Sequence, residues 1–266
     1  MSGEYKDAVS RCFNDRADYR RSDLHVRMAK RFIQFAAPQS GERVLDIATG
    51  TGFVAIPTAR LVGEMGAVVG VDISPGMLEQ AAEEITATGI DNLHLVEADA
   101  ETLDNPVEHF DLITCCNALP YMADVPGALI HWREFLRPGG RLVFNCWSEN
   151  SYATGRLLRS IAAQHGMALP VIGWDTGTPE RCHSTLNAAG YARTEVVVEP
   201  TTMYWSASRL FDVFDAALKN PLFGIPPDEL ARVADLRAEY AAQAQSPEVL
   251  ESLGAEMGAF LVRAYR

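Results

Sequence analysis

Positive charge is scarce in this 266-residue chain: 23 lysines and arginines stand against 35 aspartates and glutamates, a formal net charge of −12. A protein that grips a phosphate backbone needs cations to displace condensed counterions. The only stretch with several, residues 16–31, also carries acids, so a nucleic-acid partner is excluded. Cysteine is scarce too. Cys12, Cys115, Cys116, Cys146 and Cys182 are an odd, scattered set with no CxxC pair and no His/Cys grouping at zinc spacing. That excludes a disulfide framework and a structural metal, and reads as reduced thiols of a cytoplasmic protein. No apolar run approaches the ~20 residues that cross a bilayer, so no membrane partner is expected. The N-terminal MSGEYKDAVSRCFNDR is too polar for a secretory leader. None of these features specifies an oligomeric state.

What the chain does have is a hydrophobic fraction of 48% beside 22% charged residues, ordinary for a protein with a buried core. From about residue 41 to 147, short β-rich runs alternate with helical stretches. Strands are expected at 43–48, 67–72, 93–97, 110–115 and 141–146, with helices at 53–62, 75–88 and 127–136. Several of the strands are continuously apolar, as parallel strands buried on both faces are. The alternation implies an α/β, Rossmann-like, mostly parallel sheet with right-handed crossovers and helices on both faces. RTEVVVE (193–199) and AFLVRAYR (259–266) supply a sixth and a seventh strand. The expected organisation is a helical N-terminal arm (1–40), a core (41–200), a helical insertion (201–253) placed to act as a lid, and a last core strand (254–266). The arm is amphipathic, suited equally to packing on the sheet and to covering a cleft.

The sharpest local signal is VLDIATGTGF (44–53), a hydrophobic strand running through two glycines into a helix. Glycines there let backbone approach a ligand, and the crevice at the carboxyl ends of such strands is where ligands bind. Gly50-x-Gly52-x-x-Ala55 also fits a dinucleotide fingerprint, and Asp72 lies about 20 residues on, where a ribose wants a carboxylate. Together these say "nucleoside" without saying which. Three further features decide. Asp46 precedes the glycines, and a carboxylate there repels a pyrophosphate but attracts an ammonium group. Asp99-Ala100 follows the third strand, where Asp accepts from an adenine amino group. LRPGGRL (136–142) ends a helix and opens the fifth strand.

With VLDIATGTG (44–52), VVGVDIS (68–74), VEADAETL (96–103), FDLITCCNALPYM (110–122) and LRPGGRLVF (136–144) in this order, the chain resembles the class I S-adenosylmethionine-dependent methyltransferases. Among them it is most similar to the group typified by the ubiquinone/menaquinone-biosynthesis methyltransferases. The resemblance spans roughly residues 40–148. It implies S-adenosylmethionine as cofactor and S-adenosylhomocysteine as product. Asp46, Ala48, Gly50 and Gly52 would hold the methionine portion, and Asp72 the ribose, with Ile73 against the adenine. Asp99 and Ala100 would meet the adenine edge, Met77 would line its pocket, and Asn117 would face the sulfonium.

A sulfonium is already an activated electrophile, so methyl transfer asks the protein mainly for alignment and exclusion of water. Direct in-line O- or C-methylation of a small hydrophobic or aromatic metabolite is the expected reaction. His165, His183 and Tyr204 are the candidate bases, whereas His131 reads as a surface or core histidine. Tyr19, Tyr121, Tyr152, Trp174 and Trp205 are the candidate walls of the acceptor pocket. Cys115-Cys116-Asn117 puts thiols where a metal-dependent enzyme needs a carboxylate, so no metal is expected. Two other readings compete. A protein of this fold can bind S-adenosylmethionine as a regulator or catalyse a non-methylating reaction. A nicotinamide-dependent oxidoreductase would keep the glycine loop and Asp72, but leaves Asp46, Asp99 and the PGG element unexplained.

Overall fold

The structure, a computed structural model, describes residues 2–14, 23–104, 109–151, 153–200, 210, 214–215, 217–254 and 258–266. A seven-stranded sheet has the order β3-β2-β1-β4-β5-β7-β6. Its strands are β1 (Arg43–Ile47), β2 (Ala67–Asp72), β3 (Leu93–Glu97), β4 (Phe110–Cys115), β5 (Leu136–Trp147), β6 (Arg193–Pro200) and β7 (Gly258–Tyr265). β1 to β5 pair in parallel, and β7 runs antiparallel between β5 and β6. The chain moves outward from β1 to β3 and then returns to β4 beside β1. That reversal opens a crevice at the carboxyl ends of β1 and β4, where Ile47 pairs with Cys115.

Side chains along a strand alternate faces, and the sheet uses this to serve two cores. Val44, Val68, Leu112, Val143 and Leu261 pack with α2 (Asp23–Ala36) and α3 (Ala55–Val62). Their neighbours Leu45, Ile113, Leu142, Phe144 and Phe260 pack with α5 (Val125–Phe135) and α7 (Pro179–Ala188). Trp132 of α5, fully buried, donates its indole N–H to Ala100 O at 2.8 Å and so fixes the loop after β3. Local sequence sets the helix ends. Ser74 caps α4 (Pro75–Thr88), with Pro75 in its first turn and Gly89 closing it in the left-handed region. Asp124 and Thr178 cap α5 and α7 in the same way.

The PGG element differs from the expected strand boundary. β5 already begins at Leu136, which pairs with Phe110, and the ladder resumes at Arg141 opposite Leu112. The residues between form a bulge, because a Cβ on Gly140 would come within 3.1 Å of Phe110 O and Gly139 has φ +79°. Arg141, just beyond it, donates to Ala36 O and Ala37 O and to both Glu42 oxygens. It thereby satisfies the carbonyl end of α2.

A third cluster stands apart. α6 (Ala153–Gln164), which falls within residues 41–200, shares its apolar residues with the insertion. Leu158 and Ile161 pack with Leu210, Phe214, Val233 and Tyr240, the last from α9 (Arg237–Gln243), which follows α8 (Leu230–Asp235); α10 (Pro247–Gly254) precedes β7. Leu158→Ala is expected to cost about 2–5 kcal/mol and to speed amide hydrogen exchange in α6, α8 and α9. An equal acceleration in β1 to β5 would show that this cluster does not open separately.

Candidate functional site

At the end of β1 the chain buries a carboxylate. Asp46 accepts a hydroxyl hydrogen bond from Thr49 at 2.7 Å and another from Thr114 of β4 at 2.6 Å, and a third from the Ala55 N–H at the start of α3. Burial pushes its pKa up to about 6 against the pull of these donors, and the Asp72 carboxylate adds to the rise. The N-terminus of α3 is the place where this architecture ordinarily receives a phosphate. Here the chain's own Asp46 occupies it.

Asp72 ends β2 and accepts from the Gly50 N–H at 2.7 Å and the Ser74 N–H at 2.9 Å. Burial holds its carboxyl above the usual range. The glycine loop therefore turns its N–H groups inward, with Gly52 N–H bonded to Thr49 O, instead of presenting them to a pyrophosphate. Gly52 itself faces away from the crevice, because a Cβ there would meet Ile56 Cδ1 at 2.7 Å. Its place in the site is as the turn into α3.

The ends of β1 and β4 each carry a residue in the left-handed region, Ala48 at φ +51° and Asn117 at +59°. For alanine this is costly backbone. Asn117 is held by Asn145 of β5, whose Oδ1 accepts the Asn117 N–H and whose Nδ2 donates to Asn117 Oδ1, both at 2.6 Å. Sequence reasoning missed Asn145; the available signal was an asparagine inside the apolar run of β5.

Two connected hollows meet at Ala48, Gly50, Cys116 and Asn117. The larger, about 700 Å³ with its mouth, is lined by Asp72, Ile73, Met77, Asp99 and Ala100 from the sheet side. Lys6, Val9 and Phe13 of α1 (Ser2–Asn14) close it from above, together with Tyr121. The smaller, about 400 Å³, holds Asp46, Thr49 and Thr51 and is covered by His25 and Ala29 of α2. The crevice thus brings together Asp46, Ala48, Gly50, Asp72, Ile73, Met77, Asp99, Ala100 and Asn117. Met77 is both core and lining. Burial and the nearby Asp46 charge hold the Cys115 and Cys116 thiols well above their ordinary pKa, so both stay protonated.

The arm both packs and covers. Phe32 and Phe35 of α2 are core. α1 is tied to the rim: Lys6 pairs with Asp99 at 2.9 Å and with Glu101, Ser10 donates to Ile73 O, and Asn14 Oδ1 accepts from Ser74 Oγ and Gly76 N–H. Phe13 stacks edge-on against Tyr121 at 5.1 Å, and Asn220 Nδ2 reaches Tyr121 Oη at 3.4 Å. The insertion thereby touches the crevice roof.

Of the expected bases, His165 and His183 do not line either hollow. His165 is on the surface just after the last turn of α6, its Nε2 2.7 Å from Glu239 Oε2. His183 is an exposed residue of α7, which packs beside β6. Trp174 is 59% exposed under the Arg181 guanidinium, away from the crevice. Tyr19, Tyr152, Tyr204 and Trp205 lie outside the described residues. His131 is half-buried, with Nε2 2.9 Å from Leu103 O and its ring edge-on to Phe135.

Residues 44–140 match a family described as a methyltransferase domain. Over 147 residues the chain is 37% identical to the aklanonic acid methyltransferase DauC of Streptomyces, covering 54% of this chain and 67% of that protein. The chain belongs to the S-adenosylmethionine-dependent methyltransferases. This methyltransferase is also 41% identical over 132 residues to the ubiquinone/menaquinone biosynthesis C-methyltransferase UbiE of Azotobacter vinelandii, a match over 49% of this chain that spans about half of that relative's length, 52%. Among solved structures, the cyclase SpnF has the same fold, with a TM-score of 0.56 at 21% identity over 91% of this chain and 80% of that one. Among the described residues no helix of the methyltransferase is long and apolar enough to cross a membrane.

Thr114→Val removes one donor from the buried Asp46 without changing shape. It is expected to destabilise the methyltransferase by about 1–3 kcal/mol at pH 7. The loss should shrink at pH 5, where Asp46 takes up a proton. Urea midpoints at the two pH values test this, and an unchanged midpoint at pH 7 would refute it.

Proposed function

We propose that this protein transfers the methyl group of S-adenosylmethionine directly to oxygen or carbon of a small hydrophobic or aromatic metabolite. The observation that carries this reading is Asp46 at the N-terminus of α3, since it turns an anion site into one for a cationic amino-acid end. When bound, S-adenosylmethionine supplies a sulfonium-activated methyl group. The chain's own residues fit it. Asp46 offers charge to an α-ammonium group across the smaller hollow, with Ala48 and Gly50 as close backbone. Asp72 keeps a lone pair beyond its backbone bonds from Gly50, Ile73 and Ser74 for a ribose hydroxyl. Ile73, Met77, Asp99 and Ala100 suit an adenine, and Asn117, fixed by Asn145, stands where the two hollows join. Protonated Cys116 at that junction is a poor competing nucleophile.

Two relatives support a small acceptor, since both are named for methylation of small molecules, one of them at carbon. Tyr121, Phe13 and the 3-10 turn Pro221–Phe223 of the insertion meet over the crevice and are the walls we assign to the acceptor side, with the 201–253 insertion as its cap. A negative chain with no disulfide among its described cysteines suits a cytoplasmic enzyme that works on neither nucleic acid nor membrane. The second reading, a non-methylating use of the same site, is favoured by the cyclase that shares the fold. Release of S-adenosylhomocysteine with a methylated acceptor separates the two.

Titration calorimetry is expected to show micromolar-range binding of S-adenosylmethionine and none of NAD; binding of NAD alone would sink the proposal. Affinity should also fall as pH drops from 7 to 5. Asp46 must be charged to attract an ammonium group, and its raised pKa places protonation near 6. The same shift has the opposite effect on the ligand-free protein: protonating Asp46 relieves a buried charge, so its contribution to stability is present below about pH 4 and lost as pH rises through 6. Asp46→Asn should bind weakly at every pH, with a much flatter dependence. An Asp46→Asn profile as steep as the parent's would assign the titration to another group.

A further inference from the structure

The crevice is lined by three carboxylates, Asp46, Asp72 and Asp99. An acceptor that reaches the junction of the two hollows therefore meets negative charge, and any oxygen it brings there needs a donor. Asn117 stands at that junction and lines both hollows. Asn145 engages its Oδ1 and its backbone N–H, and among the described residues its Nδ2 has no hydrogen-bond partner.

Hydrogen-bond logic fixes which way round this pair lies. A backbone N–H can only donate, so the Asn145 atom that receives the Asn117 N–H at 2.6 Å must be its oxygen. Asn145 Nδ2 then faces the Asn117 carboxamide, which must answer with its own oxygen, also at 2.6 Å. Asn117 Nδ2 is left as the half of the amide turned from β5 toward the crevice. Asn145 is a firm mount. It is 2% exposed, both heteroatoms of its side chain are used, and its strand is paired with β4 on one side and with β7 on the other. The left-handed backbone of Asn117, φ +59°, presents its N–H and its carboxamide to this one partner, and asparagine is among the few residues that tolerate it.

We propose that Asn117 is a catalytic residue, its Nδ2 donating a hydrogen bond to the oxygen of the methyl acceptor, and that the acceptor is one whose oxygen carries negative charge, a phenolate or an enolate. This rests on the cofactor reading given above. Asn145 is the positioning residue that aims the donor. No proton moves at Asn117. The acceptor's own acidic proton passes to water, and its electron pair, on oxygen or on the conjugated carbon, forms the bond to the methyl carbon. The pair of the broken carbon–sulfur bond stays on sulfur. Where carbon is the nucleophile, the hydrogen it carried leaves afterwards as a proton to water. A neutral donor set in place before the acceptor arrives favours the anion without a base supplied by the protein. That suits a crevice in which the Cys115 and Cys116 thiols stay protonated and neither expected histidine is found.

The probe for the test is 4-nitrophenol, whose phenolate absorbs visible light, so its proton loss can be followed while it is bound in the presence of S-adenosylhomocysteine. Asn117→Gly keeps the left-handed backbone and removes the donor. The bound probe's pKa is expected to lie about one unit or more higher on this variant than on the unaltered protein. Asp46, Asp72, Asp99, Lys6 and His25 also line the hollows, but they act on the probe in both proteins and cancel in the comparison. Asn145→Asp offers Asn117 two oxygens, so the Asn117 carboxamide turns over and shows its own oxygen to the probe. That variant is expected to raise the pKa further, through the lost donor and the added charge together. If it fails to fold, Asn117→Gly decides alone. A pKa on Asn117→Gly equal to or below that of the unaltered protein would overturn the proposal. So would failure of the probe to bind a protein that binds S-adenosylhomocysteine. If calorimetry showed no binding of S-adenosylhomocysteine to the unaltered protein, the cofactor reading itself would fail and take the proposal with it, a result distinct from the other two.

Discussion

The buried carboxylate of Asp46 is the constraint from which the rest of the site follows. An ionised group at 2% exposure is expensive unless it is fully bonded, and its donors come from three different places: the loop through Thr49, β4 through Thr114 and α3 through its first N–H. Satisfying it fixes the spacing of β1, β4 and α3 at once. The loop between them then has little freedom left, which is why Ala48 is held in a left-handed conformation that alanine does not choose. The same bond decides ligand chemistry. With a carboxylate at the helix N-terminus, a pyrophosphate would meet like charge, and a cationic ligand meets a partner.

A second level of control comes from outside the sheet. Asp72 and Asp99 stand at the ends of β2 and β3, but one is bonded to the glycine loop and the other to Lys6 of α1. The crevice is thus finished by the N-terminal arm, whose two helices are held differently. α2 is anchored by buried aromatics and two arginines, whereas α1 is held mainly by polar ties at the rim and by Phe13 against Tyr121. Elements fastened by exposed or half-exposed hydrogen bonds open at lower free energy than elements fastened by core packing. The larger hollow therefore has the looser cover, and the smaller one the firmer. Beyond the arm, the insertion and α6 keep a hydrophobic cluster of their own.

Much of this was legible in the residues themselves. The apolar runs of β1, β2 and β4, the Ser74-Pro75 start and Gly89 stop of α4, and the aspartates at the ends of the first three strands are local signals. Each acts through backbone propensity, capping or strand burial within a few residues. Periodicity could also place Lys6, Val9 and Phe13 on one helical face, but not say what that face would meet. The positions of the histidine candidates were out of reach for the same reason. His165 and His183 sit on helices whose orientation is set by contacts far away in sequence, with Glu239 and with β6. Asn145 acts on a residue 28 positions away, and His25 meets the crevice across the β1–α3 loop.

The sequence by itself therefore determined the seven-stranded, mostly parallel sheet, the carboxylates at the strand ends and the kind of ligand they suit, because parallel strands and their loops carry those residues at fixed local offsets. Tertiary structure alone decided how the crevice divides into two hollows, and which helix covers each. It also decided which histidine reaches the crevice, since that depends on how α1, α2 and the insertion dock, and docking is set by packing between segments that no local pattern connects.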